Sequence, residues 1–226
     1  MIRPQPSFAK TIHGLTRLSF RKLVAYVSFF LLISHTGSLA QDTSWIKVHF
    51  IYGSRPKNGC KQEPKWFGGI HGGHVGIEYD TGKVIDFAPK GKFHYIERQR
   101  CPHSAYSLRS MKAFWHTFKQ SDSASLKVMT ILVPLDSAQS HRLDSIVKRY
   151  PENCPYDYAF LGMRCAAASY DILAEIGVLE PFSRRGTWCR IFYPKLLRKR
   201  MIHLAHKKHW MIWKKAGSDC RVWEKD

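Results

Sequence analysis

Residues 73–88, with the sequence GHVGIEYDTGKVIDFA, decide the fold. Two short β-prone runs, residues 74–79 and 83–87, flank a DTG turn, and Gly82 in that turn is free to take the positive φ that a tight connection needs. The pattern therefore predicts a β-hairpin.

Two polar residues of this hairpin are predicted to meet. His74 stands near the start of the first strand and Asp86 near the end of the second, so both side chains can point to one face. An acid beside a histidine fixes its tautomer and stabilises the imidazolium, as in a catalytic triad. The alternative is a histidine that is hydrogen-bonded for structural reasons alone.

A cysteine stands at the start of a second informative segment, residues 156–173 (YDYAFLGMRCAAASYDIL). The pattern predicts a helix over about residues 164–176, stopped by Gly177, with Cys165 in its first turn. The partial positive charge of a helix N-terminus favours thiolate over thiol. The alternatives are a buried structural cysteine at this position and Cys154 as a rival nucleophile.

Taken together, the two segments resemble the NlpC-type papain-like peptidases, whose histidine hairpin reads roughly G-H-V-G-I-Y. Here the cysteine follows the histidine, which is the order of the circularly permuted branch. That branch includes the amidases of the YaeF/YiiX type and the relatives of lecithin:retinol acyltransferase. The resemblance covers residues 73–88 and about 156–177.

The resemblance implies a Cys-His-Asp triad in which Cys165 is the nucleophile, His74 the base and Asp86 the residue that orients it. It implies hydrolysis or transfer at an amide or ester bond of a cell-wall peptide, a peptide tag or an acyl lipid. It requires neither a metal nor an organic cofactor. The backbone N–H of Cys165 is the expected oxyanion donor.

The other predicted elements complete an α+β pattern, with an antiparallel sheet on which the cysteine-bearing helix packs. They are strands over residues 46–52 and 127–133, helices over 107–120 and from Asp136 or Ser137 to Tyr150, and a final hairpin of 210–215 with 221–224.

The first 40 residues predict export. The first 22 residues hold five Lys or Arg and no acid, and residues 23–33 (LVAYVSFFLLI) form an apolar run too short to span a bilayer comfortably. Small residues at positions 38 and 40 predict cleavage before Gln41, so residues 1–40 are interpreted as a signal peptide and 41–226 as one domain. An uncleaved membrane anchor is the alternative. The protein is expected in the periplasm or outside the cell.

The chain is strongly basic. Its formal net charge is +19, and after removal of the leader 31 Lys and Arg face 17 acids, a net +14. Residues 181–218 hold eleven of these bases and no acid, within a basic C-terminal segment of about 181–226. Such a segment attracts anionic lipid or acidic polysaccharide, and export argues against nucleic acid. A merely solvated basic face is the alternative.

Six cysteines follow the leader, and an exported protein can oxidise them. Three disulfides would consume Cys165 and leave a catalytically inactive, disulfide-stabilised module that binds anionic surfaces. If Cys165 stays free, loop positions favour the pairs Cys60–Cys101 and Cys189–Cys220. No close Cys-x-x-Cys pair is present, so no metal site is predicted.

Overall fold

The computed structural model describes residues 44–60, 62–66, 69–91, 94–97, 103–118, 125–181 and 193–226. These residues all belong to one compact unit, Asp42–Asp226. The leader predicted for residues 1–40 lies outside the described residues, and so do Cys101 and Cys189.

The predicted hairpin is present at the centre of the fold. Strand β3 (Gly73–Asp80) pairs antiparallel with β4 (Lys83–Pro89), and Gly82 in the turn has a φ of 77°. Gly76 lies opposite Asp86 in this register, so His74, two residues from Gly76, points to the same face as Asp86.

The hairpin belongs to a six-stranded sheet in which every neighbouring pair is antiparallel, in the order β6-β4-β3-β1-β7-β9. Two small sheets flank it, an antiparallel pair β10-β2 and a parallel pair β5-β8. The remaining strands are β1 (Ser44–Tyr52), β2 (Ser54–Pro56), β5 (His94–Ile96), β6 (Ser104–Ser110), β7 (Val128–Leu135), β8 (Ala159–Leu161), β9 (Ile212–Lys215) and β10 (Arg221–Trp223).

The described residues form four α-helices, and the predicted mixed α+β class with an antiparallel sheet is confirmed. The helices are α1 (Met111–Trp115), α2 (Ser137–Glu152), α3 (Cys165–Glu175) and α4 (Pro194–Lys208). Asp136 caps α2 through a reciprocal capping box with Gln139, as its side-chain chemistry predicts. None of these four helices is long and apolar enough to cross a bilayer.

Strand β1 shows how the sheet builds two apolar clusters. Its alternating residues contribute to the main cluster, in which α2, α3 and α4 cover one side of the sheet. Ile51 points the other way and joins a smaller cluster with Phe114 of α1. The main cluster takes four residues from β1: Ile46, Val48, Phe50 and Tyr52.

One predicted element is correct only in part and another does not form. Residues 107–120 were predicted to be helical, but β6 runs to Ser110, and the helix begins at Met111 and continues as an α-helix to Trp115 and a 3-10 helix over His116–Phe118. Residues up to Ser110 form a strand because they pair with the edge of β4, and Ser110 then caps the short helix. The final hairpin does not form: β9 pairs with β7 and β10 with β2, because each strand finds a distant partner.

The predicted disulfide pairing is also wrong for both pairs that the described cysteines test. Cys60 is bonded to Cys220, so neither Cys60–Cys101 nor Cys189–Cys220 can form. The pairing of β10 with β2 is the cause, since it carries residue 220 to the loop that follows Pro56.

Candidate active site

The structure brings together the three residues singled out in the sequence. The side chains of His74 and Asp86 are hydrogen-bonded at 2.6 Å, from Nε2 to Oδ2, and both are buried. Cys165 is the first residue of α3, is 3% exposed, and is hydrogen-bonded to the His74 side chain. Because Nε2 is bonded to Asp86, Nδ1 is the ring nitrogen left to exchange a proton with the thiol.

The electrostatics of this cluster favour an ion pair between sulfur and imidazole. Burial by itself would raise the pKa of Cys165, but the hydrogen bond and charge of His74 outweigh it, and the pKa lies below the ordinary value. Burial by itself would lower the pKa of His74, but the hydrogen bonds with Asp86 and Cys165 outweigh it and raise that pKa. A thiolate beside an imidazolium is the ground state that these shifts favour.

Three further groups surround the sulfur, and the sequence alone did not reveal their roles. The backbone N–H of Val75 donates to the sulfur, and the guanidinium of Arg164 lowers the Cys165 pKa by its charge. The hydroxyl of Tyr158 accepts the backbone N–H of Cys165 and also bonds Arg164. Tyr158 lies in the segment quoted for the cysteine helix, but only the fold turns its ring toward the thiol.

The second glycine of the histidine strand has a packing role. A Cβ on Gly76 would lie 2.5 Å from Phe114 Cε2 and 2.6 Å from Val84 Cγ1, so a side chain there would displace α1. The ring of Phe114 lies 5.7 Å from that of His74, centroid to centroid. The glycine therefore admits the aromatic residue that packs against the imidazole.

A second buried histidine on the sheet, His49, also contacts a carboxylate but serves the structure. Its Nε2 lies 3.0 Å from Glu78 Oε2 and its Nδ1 lies 2.8 Å from Thr130 Oγ1, so both nitrogens are occupied. Burial lowers the pKa of His49, and the hydrogen bond to Glu78 opposes that shift only in part. His49 is thus a neutral counterpart of His74.

A third histidine-acid pair supports the loop that carries Tyr158. Asp157 is fully buried, and its two oxygens accept from His94 Nδ1 and Ser104 Oγ, each at 2.6 Å. Ser104 Oγ in turn accepts the backbone N–H of Tyr158 at 2.6 Å. This network fixes the backbone immediately before β8, and it therefore fixes the position from which the Tyr158 side chain extends.

Replacing His94 by Ala is expected to lower the free energy of unfolding by roughly 1.5–3 kcal/mol, because a buried carboxylate loses a charge-assisted hydrogen bond. His94→Asn retains an N–H near the position of Nδ1 and is expected to recover most of the loss. Urea unfolding followed by circular dichroism measures both. Equal losses in the two variants would show that the bond to Asp157 is not what stabilises this loop.

The two described cysteines that lie outside the disulfide differ in environment. Cys154 is half-buried and not disulfide-bonded, and its Sγ donates to the backbone carbonyl of Tyr156 at 3.1 Å. Cys165 is not disulfide-bonded either, but it contacts a histidine and a helix N-terminus. The described residues contain no group of three His, Cys, Asp or Glu side chains that could hold a metal ion.

The chain matches no family model, no curated protein and no solved structure.

Proposed function

We propose that the protein is an exported thiol hydrolase or acyltransferase that acts on an amide or ester through Cys165, His74 and Asp86. The observation that carries this proposal is the buried free thiol of Cys165, hydrogen-bonded to a histidine that is itself hydrogen-bonded to a buried carboxylate. A nucleophile, a base and an orienting acid in this sequence of contacts are the parts that acyl transfer through a thioester requires.

The reaction proceeds in two steps. The thiolate of Cys165 attacks the carbonyl carbon, and the His74 imidazolium gives its proton to the leaving amine or alcohol as a thioester forms. Water or another acceptor then attacks the thioester while neutral His74 takes its proton, and the thiolate is released. Asp86 holds the imidazole in place through both steps.

The negative oxygen of each tetrahedral intermediate has two donors near the sulfur. The backbone N–H of Cys165 at the start of α3 is one of them, and in the free protein it is bonded to the Tyr158 hydroxyl. A hydroxyl can donate as well as accept, so Tyr158 turns its own proton toward the oxyanion once a substrate takes up the N–H.

The wider fold agrees with a circularly permuted papain-like domain. A helix that begins at the nucleophile packs through Ala166, Ala167 and Ala168 into the core against an antiparallel sheet that carries the base. Cell-wall peptides, peptide tags and acyl lipids are the substrate classes that follow, and no metal or organic cofactor is needed. The disulfide Cys60–Cys220 is in keeping with an oxidising periplasmic or extracellular compartment.

The competing function is an inactive, disulfide-stabilised module that binds anionic surfaces through residues of about 181–226. In its simplest form that module uses every cysteine in disulfides. Neither Cys154 nor Cys165 is disulfide-bonded, which disfavours that form.

Trapping of the acyl-enzyme tests the proposal. Protein expressed from the full-length sequence and purified is mixed with a small activated ester such as p-nitrophenyl acetate. The reaction is quenched in acid, and the acetylated residue is mapped by mass spectrometry. We expect a hydroxylamine-sensitive acetyl group on Cys165, present in Cys154→Ala and absent in Cys165→Ala. A folded protein that acquires no adduct, or acquires it on Cys154, would refute the assignment.

A further inference from the structure

Three large apolar side chains share one uncovered area at the end of the sheet. Trp45 of β1 pairs with Pro134 of β7, and Trp213 of β9 pairs with Thr130 of β7. Pro134 and Thr130 are four residues apart on one strand, so both tryptophans point to the same face. Met211 lies between them, where its carbonyl accepts the backbone N–H of Leu132.

This area is exposed although its residues are apolar. Trp45, Met211 and Trp213 are 48%, 51% and 49% exposed. The intervening residues of the same strands, Ile131 and Ile212, point to the opposite face and pack into the main core. The three exposed side chains therefore lie on the face that α2, α3 and α4 do not cover. Contiguous exposed apolar residues of this kind mark interaction sites.

Positive charge borders the Met211 and Trp213 end of this patch, while Trp45 lines a cavity with Lys47, Glu78 and Asp80. Lys207 and Lys208 close α4 directly before the segment that carries Met211. Lys215, two residues after Trp213, points to the same face of the sheet as Trp213, whereas Lys214 points to the opposite face and bonds Asp226. All four lysines are exposed. The nearby carboxylate of Asp226 is shared between Lys214 and Tyr52. A partner for this surface must accept both apolar side chains and excess positive charge.

Among partners, a bilayer with anionic lipids meets both requirements. Tryptophan prefers the boundary between lipid and water, and lysines beside it contribute about 1 kcal/mol each toward an anionic surface. A second copy of the chain does not fit, because two lysine-bearing edges repel each other and protect an edge strand against pairing.

We infer that Trp45, Met211 and Trp213, with the bordering lysines, form a docking surface for an anionic lipid bilayer. Trp45 and the site are at opposite ends of β1: Ile51, the partner of His74, is six residues from Trp45, roughly 20 Å along the strand. Docking therefore leaves the thiol free. The inference does not depend on the proposed chemistry, and alkylation of Cys165 reports on that chemistry separately.

Vesicle binding tests the surface. The product of the full chain, with its N-terminus read by mass spectrometry, is sedimented with vesicles of phosphatidylcholine alone or with phosphatidylglycerol. We expect binding only with phosphatidylglycerol, and slower backbone hydrogen exchange at residues 211–215 on those vesicles. Replacing Met211 and Trp213 together by Ser is expected to weaken binding about tenfold or more.

The matched control is Leu108→Ser, which removes another half-exposed apolar side chain from β6, the opposite edge of the same sheet. It is expected to bind vesicles as wild type does. Wild-type protein that fails to bind, undiminished binding by the Met211 and Trp213 variant, or protection of residues 211–215 by self-association without lipid would each overturn the inference.

Discussion

His74→Ala is expected to slow the alkylation of Cys165 by iodoacetamide at pH 6 by about 100-fold or more. An ordinary thiol with a pKa near 8.5 is only about 0.3% thiolate at pH 6, and burial without a counter-charge reduces that fraction further. His74 is the principal group that lowers the Cys165 pKa against burial. Its removal therefore returns Cys165 to a protonated, weakly reactive thiol.

The pH dependence follows from the direction of the same shifts. In the wild type the lowered Cys165 pKa favours the thiolate at pH values where an ordinary cysteine is protonated. We therefore expect a higher alkylation rate at pH 6 than in His74→Ala, and a smaller rise in that rate up to pH 8. In His74→Ala the rate is expected to climb steeply toward pH 9. Mapping the label by mass spectrometry at each pH gives both profiles.

His49→Ala is the matched control. It removes an equally buried, carboxylate-bonded histidine from the same sheet, but one that is bonded to Glu78 and Thr130. We expect Cys165 in that variant to retain its low-pH reactivity once folding is verified by circular dichroism. The label on Cys154 in the same digest serves as an internal reference. Loss of reactivity in both histidine variants alike would assign the effect to destabilisation of the sheet.

Arg198→Ala is expected to lower the free energy of unfolding by roughly 3–5 kcal/mol, because it leaves a buried charge without its partner. Arg198 is fully buried on α4, its Nη2 donates to Glu224 Oε2 at 2.8 Å, and its guanidinium lies 3.8 Å from the centre of the Tyr52 ring. These contacts join the C-terminal residues to the first strand. Urea unfolding without added oxidant or reductant, so that the disulfide stays intact, measures the change.

Two residues further along the same helix, Arg200 provides the control. It bonds Glu180 at 3.3 Å, with both side chains exposed, and Arg200→Ala is expected to change stability by about 0.5 kcal/mol or less. A double variant of Arg198 and Glu224 measures the interaction energy of the pair separately from its surroundings, because neither charge is then left without its partner. Similar small losses for Arg198→Ala and Arg200→Ala would contradict the role assigned to the buried pair.

The Lys and Arg residues of the basic C-terminal segment therefore have different roles. The sequence alone gives equal weight to each of its Lys and Arg residues. In the fold, Arg198 and Arg221 are buried and tie the tail to β1 and to the loop near Ser54. Lys207 and Lys208 remain on the surface, where they are available to an anionic partner.

The sequence by itself determined the central hairpin, the helix that begins at Cys165 and the proximity of His74 to Asp86. Each of these follows from features that are local in the chain: a glycine turn, a glycine at position 177 that ends the helix, and alternation across two adjacent strands. A pairing between neighbouring strands needs only a short loop, and its register was readable from the turn.

Tertiary structure alone decided the features that depend on distant partners. β6 forms at residues that favour a helix because β4 presents an open edge, and Cys60 meets Cys220 because β10 pairs with β2. The approach of the histidine hairpin to the cysteine helix and the position of Tyr158 over the thiol also arise only on folding. Local pattern carries no information on which remote segments will share a core, since that choice is made by the packing of the whole chain.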